Sequence, residues 1–433
     1  MKYYSINNRS ALVDFKHATI EGQAADKGLY FPTEIPKWNK SFLKELKDLS
    51  KLQIGFEIMK PYVGGSIPED QLWKIMEETI SFDFPLKQIT QNIFILELFH
   101  GPTLAFKDLG ARFLSRCLGY FAKSIGSKIT VLVATSGDTG GAVADAFYKV
   151  EGTEVIILYP SGKVSNVQEK QLTTMGDNIH ALEVEGDFDA CQQIVKTAFA
   201  DPELKEKLFI TSANSINISR WLSQQIYYAI GQSQWTYDEA PVVSVPSGNF
   251  GNICAGLVAQ KSGLEIKHFI AACNVNDVFT RYLATGNYNP TSSQATVSNA
   301  MDVGNPSNFV RITELYNHKI DEVKKHVSSD SFSDAATEGA IKKIFDTCHY
   351  ILDPHAAVSY LALEKYIDQH PGNKGILLGT AHPVKFPSVV ERIIQQEVPI
   401  PGQVENVIKK DKNAMLVAPN FALIKALILQ IVK

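Results

Sequence analysis

The chain has 433 residues, 45% of them hydrophobic, which is more than one core usually organises, so two or three packed domains are expected. A formal charge of -4 and the lack of any basic block exclude a dedicated nucleic-acid surface. No apolar stretch approaches the roughly 20 residues of a membrane helix, so no membrane partner is expected. The opening MKYYSINNRS has no apolar core behind its lysine and is unlike a secretory signal; a cytoplasmic protein with a small-molecule partner is expected. The five cysteines (Cys117, Cys191, Cys254, Cys273 and Cys348) are scattered without a CxxC pair. Buried free thiols are therefore expected, rather than a disulfide framework or a thiolate metal site.

Up to about Asp83, short helical pieces such as Phe42 to Leu49 and Gln71 to Thr79 alternate with breaks at Pro32, Pro36, Gly64 and Pro68, which predicts a separate N-terminal cap. From Asn92 onward the pattern changes. Apolar runs short enough for buried strands alternate with amphipathic stretches, as in a parallel sheet covered by helices. Strands are predicted at Ile129 to Ala134, Glu154 to Tyr159, Ile179 to Val184, Val242 to Val245, His268 to Ala272 and Gly375 to Gly379. Helices are predicted between them, among others at Ala142 to Val150, Ile218 to Gly231 and Ala356 to Ile367. The apolar run Phe421 to Val432 has helical spacing and is expected to pack on the body or on another subunit. In open sheets of this kind ligands collect beyond the carboxyl ends of the strands, where the glycine-rich segments of this sequence fall.

Four segments carry chemistry. In HGPTLAFKDLGARFL, Gly101 and Pro102 make a turn and Lys107 enters an apolar helical run through Leu109, Phe113 and Leu114. Desolvation beside Ala105 and Phe106 lowers a lysine pKa, and a neutral amine attacks an aldehyde to form a Schiff base. The plain alternative is a solvated lysine beside Asp108. In VLVATSGDTGGAVADAF a strand ends at Ala134, the loop Thr135-Ser136-Gly137-Asp138-Thr139-Gly140 follows, and a helix starts near Gly141. Amides and hydroxyls at a helix N-terminus suit a carboxylate or a phosphate; the alternative is an ordinary turn capped by Ser136 or Asp138. VVSVPSGNFGNICAGLVA repeats the arrangement, with Ser247, Gly248, Asn249, Phe250, Gly251 and Asn252 between strand and helix. Two such loops suit two anions, as the phosphate of pyridoxal 5'-phosphate (PLP) and the carboxylate of an amino acid would be. In KGILLGTAHPVKF a strand ends in Thr380, His382 and Lys385, and a hydroxyl at that place can bond a pyridine nitrogen without protonating it.

The motifs HGPTLAFKD, ATSGDTGGAVADAF, NSINISR, PSGNFGN and DPHAAV, in this order and preceded by SINNRS and GLYFP, resemble threonine synthases of the bacterial and fungal type, from SINNRS to Val390. The resemblance implies an α/β fold type II PLP enzyme with two parallel-sheet domains and an N-terminal cap. The cap would span 1–90, the large PLP-binding domain 91–125 with 215–433, and the small domain 126–214. It also implies that Lys107 carries PLP and is the catalytic base. Gly248, Asn249, Phe250, Gly251 and Asn252 would hold the cofactor phosphate, Thr380 would meet the pyridine nitrogen, and Ser136, Gly137, Asp138, Thr139 and Gly140 would bind the substrate carboxylate. The reaction would convert O-phospho-L-homoserine and water into L-threonine and phosphate by γ-elimination and β-hydration. In NSINISRWLSQQ, Asn214, Ser215, Asn217 and Arg220 are candidates for the leaving phosphate. Arg220 as a surface residue, with Lys163, Arg112 or Lys385 as the cation, is the alternative. A related PLP phospho-lyase or amino-acid dehydratase, and a silent binding homologue, are the competing functions. His100, Asp108 and His355 lie within the same motifs. No zinc site is expected at Cys348, His349 and His355, whose spacing fits none, and the sequence leaves the oligomeric state open.

Overall fold

The computed structural model describes residues 1–8 and 10–432, so Arg9 of the SINNRS element lies outside the described residues. Its strands are, in chain order, β1 (Tyr3–Ser5), β2 (Tyr30–Pro32), β3 (Leu86–Gln88), β4 (Ile93–Glu97), β5 (Ile129–Ala134), β6 (Thr153–Pro160), β7 (Ile179–Val184), β8 (Phe209–Ser212), β9 (Val242–Pro246), β10 (His268–Cys273), β11 (Val327–Ser331), β12 (Gly375–Gly379) and β13 (Met415–Val417). β1 and β2 form a small antiparallel ribbon. Six strands make the larger sheet in the order β11-β10-β9-β12-β4-β3, in which only the edge strand β3 runs antiparallel. Five make the smaller sheet, β13-β7-β6-β5-β8, parallel throughout. β4, β5 and β12 are buried along their whole length because helices cover both faces, which is why IFILE, ITVLVA and GILLG are apolar but for Glu97 and Thr130.

All six predicted strands form, three with the expected bounds and three longer by a residue at one or both ends. The helices differ more. The run Ile218 to Gly231 divides into helices Ile218–Leu222 and Gln225–Ser233, because the Ser223 hydroxyl and the Gln224 amide both donate to the Arg220 carbonyl and compete for the backbone acceptor there. The helix predicted at Ala142 starts at Asp138 and ends at Phe147.

The N-terminal segment packs against the larger sheet, where Tyr3, Phe15, Ile54, Met59 and Tyr62 share one hydrophobic cluster with Phe113, Trp221 and Phe269. The end of the chain lies against the smaller sheet. β13 finds its hydrogen bonds on the open edge of β7, and Ile424 and Ile428 of helix Phe421–Ile431 pack on Cys191 and Ile194 beside the smaller sheet.

Helix Lys107–Ile125 joins the two sheets. Leu109, Phe113, Cys117 and Phe121, four residues apart, lie in the core of the larger sheet. Ala111, Leu114, Leu118 and Ala122 lie in the core of the smaller one. Two apolar stripes on one helix thus place its first residue, Lys107, at the seam. β4, β12 and β9 are parallel neighbours, so the segments that leave their carboxyl ends emerge along one edge of the larger sheet.

Candidate active site

Lys107 is held by the segment that follows β12. The Phe106 N–H donates to the Thr380 carbonyl at 2.9 Å, the His382 N–H to the Leu104 carbonyl at 3.0 Å, and Ala105 and Ala381 form an antiparallel bridge. The chain turns back through Leu104, whose φ of +58° is a strained choice for leucine and is fixed by these bonds. Gly101 lies against Asp108, and a Cβ there would overlap the carboxylate. Asp108 accepts from the Thr103 N–H at 2.9 Å and from the Thr103 hydroxyl, and burial pushes its carboxyl up to about 6. It is therefore engaged within the turn and is not the partner of Lys107.

The partner is Asp138. Lys107 Nζ lies 3.5 Å from Asp138 Oδ2, while Oδ1 accepts from Lys385 Nζ at 2.8 Å and from Gln168 Nε2 at 2.9 Å. Lys385 is wholly buried and also donates to the Thr103 carbonyl at 2.8 Å. Burial lowers the pKa of Lys107, whose side chain is only 17% exposed; Asp138 opposes this, and Lys385 and Arg220 push it down again. Burial alone would raise Asp138, yet Lys385 and Lys107 together hold it far below the usual carboxylate range. The site therefore contains a permanent carboxylate shared by two lysines, one of them with a depressed pKa.

The glycine-rich loop after β5 is shorter than expected. The Thr135 hydroxyl takes the N–H groups of Gly137 and Gly140 at 3.0 and 2.8 Å, so the helix begins at Asp138. Neither Ser136 nor Asp138 caps it. The N-cap is Gly137 at φ +135°, where a Cβ would come within 2.6 Å of Gln168, the residue that holds Asp138. Ser136 and Thr139 remain half-buried at the loop surface.

In the loop after β9, Gly248 lies so close to the turn Asn299–Met301 that a Cβ would meet Met301 Cα at 2.7 Å and the Ala300 carbonyl at 2.8 Å. Phe250 adopts φ +59° and opens helix Gly251–Ser262. The Asn249 amide donates to Ser215 Oγ at 2.6 Å and accepts from the Ser307 N–H at 2.6 Å. Asn252 accepts from the Tyr228 hydroxyl at 2.8 Å, whereas its Nδ2 is buried without a protein acceptor.

The candidates for the leaving phosphate separate. Asn217 is engaged within the fold: its Nδ2 donates to the carbonyls of Thr19 and Ser212, and its Oδ1 accepts from Ser219, so the side chain has no donor left for a ligand. Ser215 joins the loop after β9, and Asn214 keeps a buried Oδ1 without a partner. Arg220 is not a surface residue. It is buried, donates to the Ala213 carbonyl, is lowered by burial to about 10, and has no ion pair with a carboxylate among the described residues. Of its rivals, Arg112 pairs with Asp145 at 3.2 Å, Lys385 pairs with Asp138, and Lys163 is exposed. His355 uses Nδ1 on Asp353 at 2.7 Å and accepts from the Ala300 N–H at Nε2, so neither nitrogen is free for a metal.

These features fit PLP. An amine of low pKa meets an aldehyde, a helix N-terminus with an unsatisfied buried amide donor meets a phosphate, and Thr380, buried at the end of β12, lies one residue pair from Lys107. Residues 79–379 match the model of the pyridoxal-phosphate dependent enzymes, residues 2–80 that of the threonine synthase N terminus, and residues 356–428 that of the threonine synthase C-terminal part. The threonine synthase of Serratia marcescens is 43% identical over 403 residues, covering 93% of this chain and 92% of that protein. The crystal structure of threonine synthase from Escherichia coli superposes with a TM-score of 0.92 at 40% identity, covering 99% of this chain and 100% of that one. For the PLP-bound threonine synthase from Brucella melitensis the TM-score is 0.94 at 32% identity, with all of both chains covered. Matched along almost its whole length in both sequence and fold, the chain belongs to the threonine synthase family of pyridoxal-phosphate-dependent enzymes.

Proposed function

We propose that the site converts O-phospho-L-homoserine and water into L-threonine and phosphate, as a PLP-dependent lyase in a cytoplasmic setting. One arrangement carries the reading: Lys107, with its lowered pKa, faces Asp138 of the loop after β5, a carboxylate that Lys385 keeps ionised, and the loop after β9 leaves the larger sheet at the same edge as the Lys107 segment.

PLP, when bound, supplies an electron sink for the substrate's Cα. Lys107 holds the cofactor, and its amine removes and returns protons along the substrate chain. Asp138 gives that amine a fixed partner whenever it is charged, and its own proton affinity is too low for it to compete as a base. The amides of Asp138 and Thr139 and the hydroxyls of Ser136 and Thr139 receive the substrate carboxylate, while those of Gly137 and Gly140 stay with the Thr135 hydroxyl and shape the loop. The Asp138 side chain takes no part in that, since one carboxylate repels another. Arg220, with Asn214, holds the γ-phosphate and receives it when the bond from Cγ to oxygen breaks. Gly248 to Asn252 hold the cofactor phosphate, and the Thr380 hydroxyl meets the pyridine nitrogen. Water then gives its oxygen to Cβ and a proton ends on Cγ, so that one phosphate is released per threonine formed.

The test is to supply O-phospho-L-homoserine to the purified protein with PLP and to measure threonine, 2-oxobutyrate and phosphate together. Threonine and phosphate in equal amounts are expected. Phosphate accompanied by 2-oxobutyrate with little threonine would replace this reading by the phospho-lyase or dehydratase alternative.

A further inference from the structure

Arg311 is absent from every motif that drew attention in the sequence, yet it is the most deeply buried arginine of the described residues. Its Nη1 donates to the Ser215 carbonyl at 3.2 Å and to Asn308 Oδ1 at 2.8 Å. Its Nη2 donates to the carbonyls of Tyr30 at 3.1 Å and Ile216 at 2.6 Å, and the guanidinium lies 4.3 Å from the centre of the Trp221 ring. All four acceptors are neutral. Among the described residues no carboxylate forms an ion pair with it, and its Nε is buried without any partner. Burial lowers its pKa only to about 9, so the guanidinium is charged at neutral pH. A buried charge that no protein group neutralises is costly and is expected to serve an anion that comes from outside.

The groups that Arg311 holds identify that anion. Asn308, fixed through Oδ1, donates its Nδ2 to the Asn249 carbonyl at 3.0 Å and to Ser215 Oγ at 3.2 Å. Ser215, fixed through its carbonyl, accepts the Asn249 amide. A Cβ on Gly251 would lie 3.3 Å from Asn308 and 3.5 Å from Ser215. The guanidinium is thus one side chain away from the first residue of helix Gly251–Ser262, and the loop Ser247 to Asn252 contains no lysine or arginine. We propose that Arg311 is a positioning residue and the buried counter-charge of the cofactor's phosphate: without touching the phosphate, it fixes Asn308 and Ser215 beneath the Gly248 to Asn252 loop and supplies the positive charge that the loop lacks. The inference rests on the assignment of that loop to the phosphate of PLP.

The test compares PLP with pyridoxal, which lacks only the phosphate. Cofactor-stripped full-length protein is titrated with each, and binding is followed by the visible band and by borohydride fixation on Lys107. Arg311→Gln and Arg311→Met are expected to lower the ratio of PLP to pyridoxal affinity at least tenfold, with pyridoxal affinity itself changing less than threefold. Arg311→Lys, which keeps the charge without the fork, is expected to keep the ratio within threefold of the original chain. PLP and pyridoxal affinity falling by one common factor in the neutral variants would reduce Arg311 to a scaffold and overturn the proposal. Should neither neutral variant fold, Arg311→Lys decides, since a ratio that collapses although the charge is present overturns it equally. An original chain without preference for PLP over pyridoxal would instead sink the loop assignment.

Discussion

Lys385→Met removes one charge from the Asp138 carboxylate while keeping most of the side-chain volume. Lys107 and Lys385 bind different oxygens of that carboxylate at 3.5 and 2.8 Å. Their nitrogens therefore lie no more than about 9 Å apart, and at an effective dielectric of ~20 they repel each other by about 2 kcal/mol or more. Lys385 lowers the pKa of Lys107, so its removal raises it, and the free amine becomes available only at higher pH. The acid limb of kcat/KM against pH is accordingly expected to move to higher pH, and the repulsion of about 2 kcal/mol that is lost amounts to at least a ~10-fold fall in rate where the limb is steep. Breaking a buried pair also costs about 3 to 5 kcal/mol of stability, so the folded fraction must be measured alongside. Lys385→Arg, with the charge restored, is expected to return the limb toward its original place. The assay is phosphate release across pH, paired with a pH titration of the visible band. A limb that stays in place while only the amplitude falls would refute the electrostatic coupling.

Three further outcomes follow from the site. Lys107→Ala is expected to abolish the borohydride-fixed cofactor adduct; an adduct persisting on another residue would move the assignment. Arg220→Met removes a charged donor worth about 1.5 to 3 kcal/mol, so kcat/KM for O-phospho-L-homoserine is expected to fall roughly 10 to 150-fold, with PLP affinity unchanged. An unaltered kcat/KM would exclude Arg220 from the phosphate site. Gly248→Ala forces a Cβ against the backbone of Ala300 and Met301, which costs about 1 to 3 kcal/mol. Weaker PLP binding and a lower melting temperature are expected, and a variant indistinguishable in both would show that the loop yields.

The sequence was legible where one physical signal dominated. ITVLVA and GILLG read as strands because a parallel sheet covered on both faces admits little else. IFILE in β4 carries much the same signal, broken only by Glu97, whereas VSSDS in β11 is an edge strand with four polar residues of five and only Val327 to announce it. The break in the run Ile218 to Gly231 comes from two side chains bonding one carbonyl, which no periodicity reveals. Lys107 and the two loops were identified by motif order. The role of Asp138 was not, because its partners come from two distant segments that meet only when the sheets pack. Arg311 was invisible for a related reason: its acceptors are mostly backbone carbonyls, and every residue has one.

The helix that begins at Lys107 is a common member of two hydrophobic cores. Adding or deleting one residue in it turns everything beyond by about 100°. The two stripes lie one residue apart, so an inserted residue would turn the stripe of the larger sheet onto the core of the smaller one and turn the other stripe away from both. Loops elsewhere can change length locally, but this helix has one admissible length. That makes the distance between the Lys107 amine and the two sheets a fixed dimension of the fold.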